Sequence, residues 1–243
     1  MQKNKKDSVY DHMIVKAAKD GSYEDVLNCI KKGGDVNARD KNQMTPLMWA
    51  AHNGDAGIAK LLLAHGAGIN LRDGDGYNAI EYAARTKSIA VGRFLISEGA
   101  DVNNLDNNSA TPLIWTVWNG DYDFTKLLLE NGANIMNGKD KSISEITTAI
   151  YRNDARMYRL LVAWGAELDA KDRYGEGKCA LGTAFKRCSP GFLAMVLEDV
   201  VRAENRKNRP LYGAFLEKSH DHAFEILASQ LNELRRRMPD DGR

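Results

Sequence analysis

The chain has 243 residues, 43% of them hydrophobic and 28% charged, and its 34 basic side chains offset 33 acidic ones to a formal charge of +1. That balance excludes a global field drawing in nucleic acid or an anionic membrane, and no apolar run approaches the ~20 residues that cross a bilayer. Cys29, Cys179 and Cys188 are too few and too scattered for a disulfide framework or a zinc site.

The N-terminal "KNKK" is not followed by an apolar stretch of signal-peptide type. A reducing, cytoplasmic setting is the default expectation, with export open if a leader once preceded the sequence. No cofactor is implied, and the chain is expected to be a monomer on its own.

Self-similarity organises the rest. Glycines fall at 33, 66, 99, 132 and 165, a constant step of 33. Ile14, Leu47, Ile80, Leu113 and Ile146 keep the same step, as do Ala17, Ala50, Ala83, Thr116 and Ala149. Val36, Ile69, Val102, Ile135 and Leu168 form another such column.

In chain order, the first unit (8–39) carries "MIVKAAKDGSYEDVLNCIKKGG", a helix pair whose polar outer face caps the array. Units 40–72, 73–105 and 106–138 each open on a turn, "DKNQM", "DGDGY" or "DNNSA". Thr45-Pro46-Leu47 and Thr111-Pro112-Leu113 then start a short helix. Proline suits the first helical position because its missing N–H would be unpaired there anyway. Gly54 and Gly120 mark the end of that helix. Second helices follow at Leu61-Leu62-Leu63, Phe94-Leu95-Ile96 and Leu127-Leu128-Leu129, stopped by Gly66-Ala67 and its equivalents.

Unit 139–171 has Ser144-Glu145-Ile146 in place of Thr-Pro-Leu and carries Leu160-Leu161-Val162. Before unit 172–204 the step stretches from 33 to 35, Ile146 to Leu181, so "RYGEGK" bulges outward. After Val200 the glycine stop is missing. A polar connector, "VRAENRKNR", leads to Pro210-Leu211, and a degenerate helix pair (205–237) closes the stack. Arg235, Arg236 and Arg237 read as a solvated terminus, since Asp240 and Asp241 follow.

The 33-residue period, "GADVN" and "TPL" resemble the ankyrin-repeat family over about residues 8–200. The resemblance implies an all-α fold: a solenoid of stacked helix-turn-helix units with β-turn fingers, a concave face and helical caps, making residues 1–243 one repeat domain. One unit cannot bury its own apolar face, so neighbours supply the core. The histidine that follows Thr-Pro-Leu in the family is replaced by Met48, Glu81, Ile114 and Thr147, which removes its loop-stabilising hydrogen bonds. Asn37, Asn70 and Asn103 match a family position that can be hydroxylated in animal cells.

Patterns suggesting chemistry have plainer explanations. "DGDGY" as a calcium loop would put Leu71 and Tyr82 at the first and twelfth positions, which supply no suitable oxygens. His220 and His222 are two apart, a spacing that does not share a helix face. Cys179 and Cys188 fall in columns of small, partly buried residues and read as inert. No nucleophile–base set or phosphate-cradling loop can be assembled from the recurring positions, so the chain is not expected to be an enzyme. A catalytic site in the expanded 173–178 loop is a remote alternative.

The informative residues are the large ones in variable columns. Met44 and Tyr77 share a turn column; Trp49, Tyr82 and Trp115 share one on the first helix. His52, Arg85, Trp118 and Tyr151 share another, three residues on, and positions three apart face the same way. The fourth tryptophan, Trp164, precedes Gly165. A tryptophan in this column can instead tuck against the next unit. Recurrence of Trp, Tyr and Arg favours a partner-binding stripe, because these types dominate interface hot spots. The polar rim would be Lys41, Asn42, Asp75, Asn107 and Asn108. The function expected is protein binding without catalysis, inhibiting or masking a folded enzyme or toxin in the manner of an immunity protein. The alternative is an adaptor that recruits a client through residues 205–237. Trp49→Ala with Trp115→Ala is expected to weaken binding and leave the fold intact.

Overall fold

The computed structural model describes residues 7–135, 144–168, 184, 188–207 and 222–238, which among themselves form helices and turns and no strand. The chain divides into two compact units, Met1–Asn134 and Ile135–Arg243.

The first unit holds four helix pairs: α1 (Asp7–Asp20) with α2 (Tyr23–Lys31), α3 (Pro46–Asn53) with α4 (Ala56–Ala64), α5 (Ala79–Arg85) with α6 (Ile89–Ser97), and α7 (Pro112–Asn119) with α8 (Tyr122–Glu130). The second, third and fourth pairs start in one column, at Pro46, Ala79 and Pro112, whereas α1 begins earlier than that column, at Asp7. Thr45 and Thr111 cap α3 and α7 with their hydroxyls, each accepting the N–H three residues on, ahead of a proline at the first helical position. Asp55 and Asp121 cap the second helices in the same way. Gly54 and Gly120 end the first helices in the left-handed region, which a glycine enters without steric cost. In the third repeat Lys87 occupies that position with φ 60°.

Packing follows the columns. The first helices α1, α3, α5 and α7 stack on one another in order, and α2, α4, α6 and α8 stack beside them. Ile14, Leu47, Ile80 and Leu113 are buried at this seam with Ala50, Ala83 and Thr116, and Leu62, Leu95 and Leu128 fill the space between rows. Burying each large aliphatic contributes ~1.5–3 kcal/mol, and small residues between them allow close helix approach. Gly92 on α6 is required by shape, since a Cβ there would lie 2.0 Å from the Phe124 ring of the next repeat.

Polar clips join neighbouring repeats. The Asn53 amide donates to the Ala18 and Lys19 carbonyls at 3.2 and 2.9 Å, and Asn119 does the same to Ala84 and Arg85. These bonds satisfy the open carbonyl end of the preceding first helix. Asn37 and Asn103 each donate to a carbonyl and accept an N–H from the next repeat. Asn70 accepts the Asp101 N–H. The three asparagines are thus clips between neighbouring repeats. Fingers are tied by Gly74 N–H to Asn42 O and Asn107 N–H to Asp75 O.

The missing histidine is replaced by other bonds, contrary to the loss expected. Met48 Sδ accepts the Thr45 N–H at 3.3 Å. Glu81 Oε2 accepts the Asn78 N–H at 3.0 Å and the Asn104 amide from the end of the same repeat, which also donates to Gly76 O.

The second unit contains α9 (Glu145–Tyr151), α10 (Ala155–Ala163), α11 (Pro190–Lys207) and α12 (His222–Arg237). The α9–α10 pair buries Ile146 and Ala149 as the columns predict. Tyr158 on α10 joins α11 through a ring contact with Phe192 and a hydroxyl donated to Asp199 at 3.2 Å. Two expectations change here. Residues 201–207 of the polar connector continue α11, because no glycine stops it and Arg202 pairs with Glu198 and Asp199 along the helix. Arg235 is not a solvated terminal charge: it forms a two-pronged pair with Glu204, 5% exposed, at 2.8 and 2.9 Å, holding α12 on α11. The first cap differs too, since α1 exposes Val9 and Met13 where a polar face was expected. Cys179, His220 and the 173–178 loop lie outside the described residues.

Candidate protein-binding surface

The first helices of the first unit bring two columns together, Lys16–Trp49–Tyr82–Trp115 and Lys19–His52–Arg85–Trp118. Their rings touch in a row. Trp49 meets His52 at 5.6 Å between centroids, His52 meets Tyr82 at 5.9 Å, Tyr82 meets Tyr77 at 5.8 Å and Tyr77 meets Trp115 at 6.2 Å, all edge to face. Edge-to-face contact places positive ring edges on negative ring faces and holds the row rigid.

Cations lie over this row. Lys19 Nζ is 4.8 Å from the Trp49 ring centroid. Arg85 Cζ is 4.5 Å from Tyr77, 4.9 Å from Trp115 and 5.9 Å from Tyr82. Arg85 therefore sits exposed on a three-ring seat.

The rings are anchored from the finger side. Trp49 Nε1 donates to Asp40 at 3.1 Å, and the Tyr82 hydroxyl donates to Asp73, the same pairing one repeat on. In the next repeat it does not recur: Trp115 Nε1 and Asp106 Oδ2 are buried with no hydrogen-bond partner among the described residues. Burial pushes the Tyr77 hydroxyl's pKa up; the Arg85 cation opposes that and the Asp106 carboxylate adds to it. The Tyr82 pKa is raised further, by burial and by its bond to Asp73. Under the row, Glu81 is fully buried, and loss of hydration pushes its carboxyl up to about 8. Asp73 of the "DGDGY" turn is committed to protein donors, accepting from Asp75 N–H, Tyr77 N–H and Tyr82.

The expected stripe is thus only partly a surface. Met44 at 5%, Tyr77 at 8% and Tyr82 at 8% exposure are buried and form its floor, correcting the expectation that these columns project. Trp49 and Trp115 are half-buried, while His52, Arg85 and Trp118 are exposed, Trp118 at 46%. Tyr151 is also exposed but belongs to the second unit. Lys41, Asn42, Asp75, Asn107 and Asn108 lie exposed at the fingers, although Asn42, Asp75 and Asn107 also tie neighbouring fingers together. Trp164 is exposed at the end of α10, away from both columns in sequence. Removing Trp49 or Trp115 would disturb the packed row, so neither substitution is neutral to the fold.

Sequence reasoning missed Lys16 and Lys19, whose positions 33 before Trp49 and His52 were the available signal. It also missed the recurring nine-residue step from Asp40 to Trp49 and from Asp73 to Tyr82.

Stacked helix pairs with variable side chains gathered along the first helices define a helical-repeat binding module. A family model described as ankyrin repeats (3 copies) matches residues 14–106, and another described as ankyrin repeat matches residues 108–141. The chain belongs to the ankyrin-repeat family, whose repeats are protein–protein interaction modules. Over 46 residues it is 44% identical to acyl-CoA-binding domain-containing protein 1 of Arabidopsis thaliana, a match covering 19% of this chain and 14% of that protein. No described helix is long and apolar enough to cross a membrane.

Proposed function

We propose that the protein binds a folded partner protein, an enzyme or toxin, without catalysis, through the first-helix row, and that occupying the partner's surface inhibits or masks it. The supporting observation is Arg85, held exposed above Tyr77, Tyr82 and Trp115 with Trp118 beyond it. A guanidinium fixed on aromatic faces has already lost much of its conformational freedom, which lowers the entropic cost of engaging a partner. The buried floor keeps the row in place before contact. Recruitment through the C-terminal helices is the less supported reading, because the Arg235–Glu204 pair uses α12 to close α11.

The test is capture of a partner from native lysate by the full chain and by an Arg85→Ala/Trp118→Ala variant with unchanged circular dichroism. The proposal expects the variant to lose the partner, and the wild-type chain to depress the purified partner's activity. A partner retained undiminished would reject the surface. A partner bound with full activity would reject inhibition.

A further inference from the structure

We infer that the partner segment taken by this row is an extended, acidic stretch of polypeptide, with carboxylates about six residues apart meeting Lys19 and Arg85. The inference rests on the proposed surface and adds the chemistry of what it accepts. Its first support is charge. Among the described residues no carboxylate pairs with Lys19 or Arg85; each cation is held over ring faces instead. Lys16 is exposed at the same end of the row.

Asp20 beside Lys19 is exposed, but the three acids that open the fingers bond into the fold. Asp40 accepts from Trp49 Nε1 and from the Asn42 and Met44 N–H groups. Asp73 has the equivalent partners one repeat on, and Asp106 accepts the N–H groups of Asn108 and Ala110. Asp75 is exposed at the finger tip and disfavours an acidic segment there, leaving the helix side as its track. Lys16, Lys19 and Arg85 face outward while Asp40, Asp73 and Asp106 bond inward, so this side of the row is complementary to negative charge.

Spacing sets the register. Packed helices in neighbouring repeats lie about 8–10 Å apart, and an extended chain advances ~3.3 Å per residue. Three residues of such a segment therefore span one repeat. A carboxylate over Lys19 puts the third residue on at His52, the sixth at Arg85 and the ninth at Trp118. The last position favours an apolar residue, because Trp118 exposes nearly half its surface.

A single-stranded nucleic acid is also anionic, but it binds by stacking bases on open ring faces. Here Tyr77 and Tyr82 are buried, their faces are taken by Arg85, and the rings meet edge to face.

The experiment is selection of random twelve-residue peptides on the full chain, in parallel with a Lys19→Glu/Arg85→Glu variant of unchanged circular dichroism. The expected result is wild-type enrichment of Asp or Glu pairs six apart, absent from the variant's pool. A fluorescein-labelled peptide of the selected sequence should bind at least tenfold more weakly to Arg85→Gln and to Lys19→Gln, and more weakly as salt rises. Selected peptides without acidic residues, no selected peptide at all, or equal competition by a single-stranded oligonucleotide would overturn the inference. Neutral peptides that lose binding on Trp118→Ala would overturn it while leaving the proposed surface standing. Peptides indifferent to changes at Arg85 and at Trp118 would overturn both.

Discussion

Replacing Glu81 by glutamine should stabilise the protein at neutral and alkaline pH and leave it nearly unchanged in acid. Glu81 is fully buried in the third repeat. Oε2 accepts the Asn78 N–H and the Asn104 amide, while Oε1 is buried without a partner among the described residues. Loss of hydration is the largest influence on its carboxyl and raises its pKa from 4.5 to about 8, against the lowering effect of the Asn78 and Asn104 bonds. In the unfolded chain the carboxyl ionises near 4.5. From there to about pH 8 the native state keeps a proton that the unfolded state releases, so stability falls as pH rises through that window. At ~1.36 kcal/mol per pH unit, the loss between pH 5 and 7.5 is about 3 kcal/mol. Glutamine has the shape and neutrality of the protonated acid and no titration, so this slope disappears in the variant. Urea unfolding of both proteins at the two pH values, followed by tryptophan emission, reads the difference directly. Other titrating groups cancel between the two proteins. A variant that keeps the wild-type slope, or that is equally destabilised at both pH values, would refute the burial argument.

Gly92→Ala should push a methyl group into the Phe124 ring and cost ~1–3 kcal/mol, the usual range for overpacking, measurable as a lower urea midpoint. No loss of stability would show that α6 and α8 can separate freely. Lys87→Gly should stabilise by ~0.5–1 kcal/mol, since relief of a left-handed non-glycine residue outweighs glycine's added chain entropy; a lowered melting temperature would contradict it. Arg235→Ala removes the two-pronged bond to the Glu204 carboxylate, at a cost of ~1.5–3 kcal/mol. Hydrogen exchange should then show early opening of α12, whereas unchanged protection would remove the pair's assigned role.

Much of the fold was legible because stacking repeats impose one constraint many times. Ile14, Leu47, Ile80 and Leu113 fill the same space in successive units, so their spacing gives burial without coordinates. The direction of variable side chains was harder to read. Variation at Tyr77 and Tyr82 marks positions that the stack does not dictate, but an Asp nine residues earlier draws Tyr82 inward, and burial of its neighbour Tyr77 follows. Glu81 was visible only as a missing histidine, since the Asn104 amide that bonds it comes from 23 residues on, outside the short-range patterns of a helix. The end of α11 was misplaced for a local reason: charged residues at 201–207 resemble a linker in composition while being good helix formers with partners one turn away. Arg235 likewise gave no sign of Glu204, 31 residues before it.

Site-specific photocrosslinking tests the proposed surface most directly. Benzoylphenylalanine would replace His52 or Trp118 on the first-helix row, or exposed Arg93 on α6 as the comparison, and each full-length protein would be irradiated in native lysate. A row that receives a partner predicts the same discrete adduct from positions 52 and 118 and none from 93. An adduct confined to position 93, or equally strong from all three positions, would contradict it.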